Sequence, residues 1–166
     1  MQKNTILNSL LNNDSLPKTT KRGLVMKTKS INRFLKAQDN MYETALKEIK
    51  NGEKESHWMW YIFPQLRGLG ESEMSYFYGI NGIEEAKAYL AHPILSTRLI
   101  EISTALLEHK DKSIEDIMGY IDDMKLKSSM TLFAIASEEL SIFHQVLDLF
   151  FDGEMDTNTI QLIDSF

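Results

Sequence analysis

The chain contains no cysteine. Disulfides, thiolate nucleophiles and Cys-ligated zinc are therefore excluded, and a reducing compartment fits. No apolar run approaches the roughly 18 residues of a membrane-spanning helix. The opening Met1-Gln2-Lys3-Asn4-Thr5-Ile6-Leu7 lacks the long apolar core of a signal peptide. Basic charge is short as well: 18 Lys and Arg face 24 Asp and Glu, a net charge of -6. That balance argues against non-specific nucleic-acid binding, which needs a basic surface. Among hydrolase and nucleotide signatures, G-x-S-x-G, G-x-x-x-x-G-K-[ST] and G-x-G-x-x-G are all missing. His57, His92, His109 and His144 include no i, i+4 pair and no H-E-x-x-H, so neither a metal nor a cofactor is expected. These absences predict a soluble, cytoplasmic protein with no membrane and no nucleic-acid partner.

What is present suits a globular fold. The length of 166 residues predicts one domain, and 43% apolar content is enough to bury a core without a crosslink or metal. Residues 1–25 stand apart. They are rich in Asn, Lys and Arg and are interrupted by Pro17, and only Ile6, Leu7, Leu10 and Leu11 show helical spacing. We expect a flexible or weakly helical extension over 1–25, with Met26 as a plausible second start, and a helical domain over 26–166.

Within that domain the apolar spacing is helical almost throughout. Ile31, Phe34, Leu35, Met41, Tyr42, Ala45, Leu46 and Ile49 form a stripe that Asp39 can split by capping a new helix. Gly52 is placed to stop it. Ser72 caps a short helix ending at Gly79, and Asn81 caps another over 83–91. Pro93 suits the first position of a long helix carrying Leu95, Leu99, Ile102 and Leu106. Ser113 caps a short helix stopped by Gly119. Asp122 or Asp123 caps the next, through Ala136. Ser137 or Ser141 opens a helix ended by Gly153, and Asp156 or Thr157 starts the last. The predicted fold is all-α and compact, about eight to ten mostly short helices with no substantial β-sheet.

The densest stretch runs from Ser56 to Gly70. It holds both tryptophans, and residues 57–63 contain five aromatic rings if His57 is counted. Trp, Tyr, Ile and Phe favour strands, but every neighbouring segment is helical, so we read a short helix from His57 to Phe63, capped by Ser56 and ended by Pro64. Rings of this size must be mostly buried. His57, Gln65 and Arg67 bring polar groups to the same place, which fits either a pocket wall or the densest part of the core. Gly68-Leu69-Gly70 reads as a turn rather than a phosphate cradle. A second polar cluster spans Asp122 to Thr131. Lys125, Ser128 and Ser129 share one face at i, i+3 and i+4, beside a helix N-terminus that favours an anion. An Asp cap followed by a solvated Lys explains the same residues, and Ser128, Ser129 and Thr131 within a helix point to close packing or directed hydrogen bonds. Arg98 either pairs with Glu101 or Glu84 at the surface or faces inward as an anion partner.

At these residues the chain resembles a bacterial family catalogued as domain of unknown function 1810. The resemblance rests on Ser56-His57-Trp58-Met59-Trp60-Tyr61-Ile62-Phe63-Pro64-Gln65-Leu66 followed by Gly68-Leu69-Gly70 and Ser72. It continues through Arg33-Phe34, Ala37-Gln38, Glu85-Ala86, Tyr89-Leu90, His92-Pro93 and Arg98-Leu99. Gly119, Asp122-Asp123, Lys125-Leu126 and Ser128 to Phe133 follow in order. It runs from about Ser30 to Ile163 and implies a mainly helical fold. Some members carry the label calpastatin, but an inhibitor of that kind would be disordered and poor in aromatics, the reverse of this chain.

The order of elements is also similar to small helical N-glycosidases acting on ADP-ribose-like or riboflavin-pathway nucleotides. That likeness implies a base stacked on Trp58 or Trp60, phosphate held by Lys125 or Arg98, and Asp123 helping a water attack the ribose carbon. The expected site therefore joins His57, Trp58, Trp60 and Gln65 to Arg98, Asp123, Lys125, Ser128 and Ser129, around a nucleotide-like or phosphorylated small molecule. The alternative is a non-catalytic protein-interaction domain, in which the aromatic block is only core.

Overall fold

The computed structural model describes residues 31–139 and 141–166. Expectations for residues 1–25, and for a start at Met26, lie outside the described residues. The described chain forms ten helices and no sheet, as the periodicity requires. Helix α1 covers 31–39. It is followed by α2 (Tyr42–Asn51), α3 (Met59–Ile62), α4 (Glu73–Tyr78), α5 (Gly82–Ala91) and α6 (Pro93–Leu106). The remainder are α7 (Ile114–Met118), α8 (Asp122–Ala136), α9 (Ile142–Phe151) and α10 (Thr157–Ile163). An isolated parallel bridge joins Leu66 to Ile80 and closes the loop around α4.

Helix α8 is the centre of the fold. It packs against α5, α7, α9 and α10. Leu126, Met130, Leu132 and Phe133 are fully buried, and Ser128, Ser129 and Thr131 are buried with them. A helix covered on nearly every side has no polar face to show, and the small hydroxyl residues let its neighbours approach. A row of rings crosses this centre. Phe34 of α1 meets Tyr89 of α5 edge-on at 5.2 Å, Tyr89 meets Phe133 of α8 at 5.1 Å, and Phe133 meets Phe143 of α9 at 5.8 Å. Each such pair adds roughly 0.5–1.5 kcal/mol beyond its buried area.

The capping signals hold where they are local. Ser72, Ser113 and Asp156 each accept a backbone N–H at the start of α4, α7 and α10. Pro93 opens α6, capped by His92 Nδ1. Ser141 and His144 form a reciprocal capping box on α9. Gly52 ends α2 in the left-handed region at φ 77°.

Four predicted starts shift, for reasons visible in the side chains. Asp39 does not cap α2, which begins after Met41, because its carboxylate turns to Arg98. Ser56 does not cap α3, and the helix starts at Met59 rather than His57. The amides of Glu55 and Ser56 are drawn back onto the Glu48 carboxylate, which winds this segment into a loop. Asn81 stands at the N-cap of α5 but makes no side-chain cap bond, and the helix begins at Gly82 rather than Ile83. Neither Asp122 nor Asp123 caps α8. The N-cap is Ile121, at φ 82°, because Asp122 is engaged by lysines and Asp123 Oδ1 accepts from the Met124 amide at 2.8 Å.

Candidate functional site

The buried face of α2 carries one carboxylate, Glu48, among Tyr42, Ala45, Leu46 and Ile49. Its Oε1 accepts from the amides of Glu55 and Ser56 at 2.7 and 2.8 Å and from the Trp58 indole Nε1 at 3.0 Å. Burial alone pushes this carboxyl up. The Ser56 and Glu55 amides, the Ser56 hydroxyl and the Trp58 indole together hold it below the usual 4.5. Glu48 is thus an anion around which the loop into α3 is folded.

That loop places Lys54. Its backbone N–H donates to Ile117 O at 2.7 Å, fixing it against α7. Its ammonium, 6% exposed, donates to Ser56 O at 2.5 Å, meets Asp122 Oδ2 at 3.0 Å and lies 4.7 Å from the Trp58 ring centre. Asp122 Oδ1 faces a second ammonium, Lys125, at 3.6 Å. Lys125 in turn lies 5.4 Å from the ring centre of Trp60. Trp58 touches both the Glu48 carboxylate and the Lys54 ammonium, and from Lys54 charge alternates through Asp122 to Lys125, where the two sequence clusters meet.

The other predicted site residues divide. Trp58 is fully buried and its indole N–H is committed to Glu48, so Trp60, half-buried, is the ring of the pair that reaches the surface. His57 is exposed, and Gln65 is half-buried beside Gly70. Asp123 is half-buried at the start of α8. Ser128 belongs to packing: its Oγ donates to Met124 O and Asp156 Oδ2, both at 3.2 Å, and Asp156 N donates to Thr131 Oγ1 at 2.9 Å, which docks α10 on α8. Ser129 is fully buried, and its Oγ has no partner among the described residues. Arg98 contacts Gln38 Oε1 and Asp39 Oδ1, each at 3.4 Å, and lies 5.3 Å from the Tyr42 ring centre. Among the described residues its contacts share none with those of Lys125.

The expected common hollow is not among three surface hollows formed by described residues. One of about 500 Å³ lies between α5, α6 and α9 at Leu90, Ile100 and Phe143. Another, of about 410 Å³, lies between Gly68 and α10, and a third of about 620 Å³ runs along α4. Where the two clusters meet, Trp58 and the Lys54 ammonium fill the interior, and the Trp60–Lys125 contact forms a surface instead. Among the described residues no three His, Asp or Glu are grouped to hold a metal, and no helix is long and apolar enough to cross a membrane.

Glu48 and Lys54 are the residues the sequence reading missed. A signal existed for the first: an acid at a core position of the α2 stripe needs partners. For Lys54 the sequence offers only its place just ahead of the aromatic block.

The fold and this junction define a small all-helical protein whose two densest sequence clusters are clasped by buried charge. The chain belongs to the family described as protein of unknown function DUF1810, whose model matches residues 28–163. It is similar to the crystal structure of the conserved hypothetical protein Rv1873 from Mycobacterium tuberculosis. The two are 43% identical, the match covers 81% of this chain and 96% of that one, and the TM-score is 0.79. Curated proteins offer no match.

Proposed function

We propose that the surface formed by Trp60 and Lys125 binds a nucleotide-like or phosphorylated small molecule in a soluble, cytoplasmic protein. The observation that carries this reading is the contact itself: a half-buried indole with an ammonium 5.4 Å from its centre, drawn from two separate clusters. An aromatic face stacks a base without regard to its identity, for roughly 1–3 kcal/mol, and an ammonium beside it supplies a phosphate partner. Gln65 and Asp123 flank the two clusters as polar groups for orientation. In its hydrolytic form, N-glycosidase-type cleavage of an ADP-ribose-like nucleotide, Asp123 directs a water at the ribose carbon and His57 is the further titratable group of the first cluster.

Titration calorimetry and thermal shift with ADP-ribose, AMP and sugar phosphates test the reading. Binding is expected to quench tryptophan fluorescence, because Trp60 is accessible and Trp58 is not, and Trp60→Ala is expected to weaken it by about tenfold or more. If none of these compounds binds, or Trp60→Ala leaves binding untouched, the reading falls.

A second reading, a protein-interaction domain, is favoured by a different observation. Tyr120, Ile121 and Met124 are exposed together at the turn into α8, and Ile121 holds φ 82°. A β-branched residue in that region is strained, and an exposed apolar group there gains nothing from burial in the free protein. Tyr120→Ser with Met124→Ser abolishes partner capture under this reading and leaves nucleotide binding unchanged.

A further inference from the structure

The two ammonium groups on Asp122 are not equivalent. Lys54 meets Oδ2 at 3.0 Å, within hydrogen-bond range, and is nearly sealed from solvent by Ser56 and Trp58. Lys125 stands 3.6 Å from Oδ1, too far for a hydrogen bond, with about a quarter of its side chain in solvent. Lys54 alone is thus enough to neutralise Asp122. Lys125 is attracted at a distance, in a setting where solvent screens much of the attraction.

We infer that Lys125 is an exchangeable cation that leaves Asp122 for the phosphate of a bound ligand, while Lys54 keeps Asp122 neutralised and in place. This rests on the proposed function and adds the ligand's chemical class, a phosphate monoester. A dianion holds Lys125 more strongly than Asp122 does, since Asp122 already shares its single charge with Lys54. A carboxylate ligand, with one charge rather than two, has a smaller advantage, and a neutral nucleoside gives Lys125 no reason to move. Lys54 is a positioning residue here. It touches no ligand, yet it sets how freely Lys125 can turn outward.

The test is calorimetry at low salt with AMP and adenosine on the wild type and on Lys54→Met, Asp122→Asn and Trp60→Ala. The readout is the ratio of the two affinities, which a merely structural contribution does not move. Lys54→Met is expected to lower the AMP preference about tenfold, because Asp122 then claims Lys125 for itself. Asp122→Asn is expected to raise AMP affinity several-fold with adenosine unchanged. An unchanged ratio in both variants, with Trp60→Ala weakening both ligands, overturns the exchange and leaves the stacking surface standing. Failure of the wild type to bind either ligand overturns both. If Lys54→Met does not fold, the Asp122→Asn result decides alone.

Discussion

Two cations in this protein lie against aromatic rings at nearly the same distance: Lys125 is 5.4 Å from Trp60 and Arg98 is 5.3 Å from Tyr42. Their side chains are also equally exposed, at 26% and 24%. Their surroundings differ. Gln38, which Arg98 touches, is buried and donates to Tyr61 O at 2.8 Å and to the Tyr89 hydroxyl at 2.9 Å. Tyr42, under the guanidinium, is hydrogen-bonded to Glu101 and to Arg98 O. Arg98 therefore ties α1 and α2 to α6, with a planar fork suited to several acceptors at once. Among the described residues Lys125 reaches Trp60 and an aspartate on its own helix, and that aspartate has a closer partner. Equal exposure conceals a clasp in one corner and a spare charge in the other. Of the two cations expected to hold phosphate, Lys125 is the one the geometry leaves available.

The largest effect belongs at Glu48, which holds the loop leading to Trp58 and Trp60. Glu48→Ala leaves the Glu55 and Ser56 amides and the Trp58 indole without their acceptor. Stranding such a buried cluster costs about 3–5 kcal/mol, which urea unfolding would show. The same carboxylate gives a pH signature. Its folded value lies below the ordinary 4.5, so its contribution is complete above the unfolded value and is lost as pH falls through the folded one. Glu48→Gln is expected to be less stable at neutral pH and to flatten that part of the acid limb. A corner that tolerates Glu48→Ala is not built on this anion. The next effect separates the two cations directly. Arg98→Met is expected to cost about 1–2 kcal/mol and Lys125→Met less than about 0.5 kcal/mol, because only the first gives up contacts to three residues on two other helices. Equal losses would erase the distinction.

How much of this was legible depended on range. The caps at Ser72, Ser113 and Asp156, the stop at Gly52 and the opening at Pro93 are decided within a few residues, so the sequence shows them. The start of α8 was misread because Asp122, a good capping type, is taken by Lys54 from a distant part of the chain. Trp58 and Trp60 are the same residue type two positions apart, and it is Trp58 whose indole turns inward, onto the distant Glu48 carboxylate. The hydroxyls of Ser128 and Thr131 were readable as packing, yet their partner Asp156 is the N-cap of α10 and no local pattern joins them. The family resemblance and the all-helical class came from dense motifs and periodicity. The charged junction that joins the clusters did not, because nothing local ties Glu48 to the loop at Ser56 or Lys54 to Asp122.

The smallest expected effect sharpens the Arg98 side of the comparison. His92 caps α6 by accepting from the Ile94 and Leu95 amides at Nδ1. Burial, and then the charge of Arg98, hold its pKa below the ordinary 6.5. The folded protein therefore takes up this proton less readily than the unfolded chain does. The associated stability is complete above the unfolded value and is lost as pH falls from there through the folded value. Arg98→Met removes the lesser of the two causes, so the His92 pKa should rise part of the way back and the stability lost over that window should shrink. A titration of the imidazole resonances by NMR reads this directly. A His92 pKa unmoved by Arg98→Met would mean that the guanidinium does not act on α6's cap, and a Lys125→Met variant that moved it equally would show that the two corners are one electrostatic unit after all.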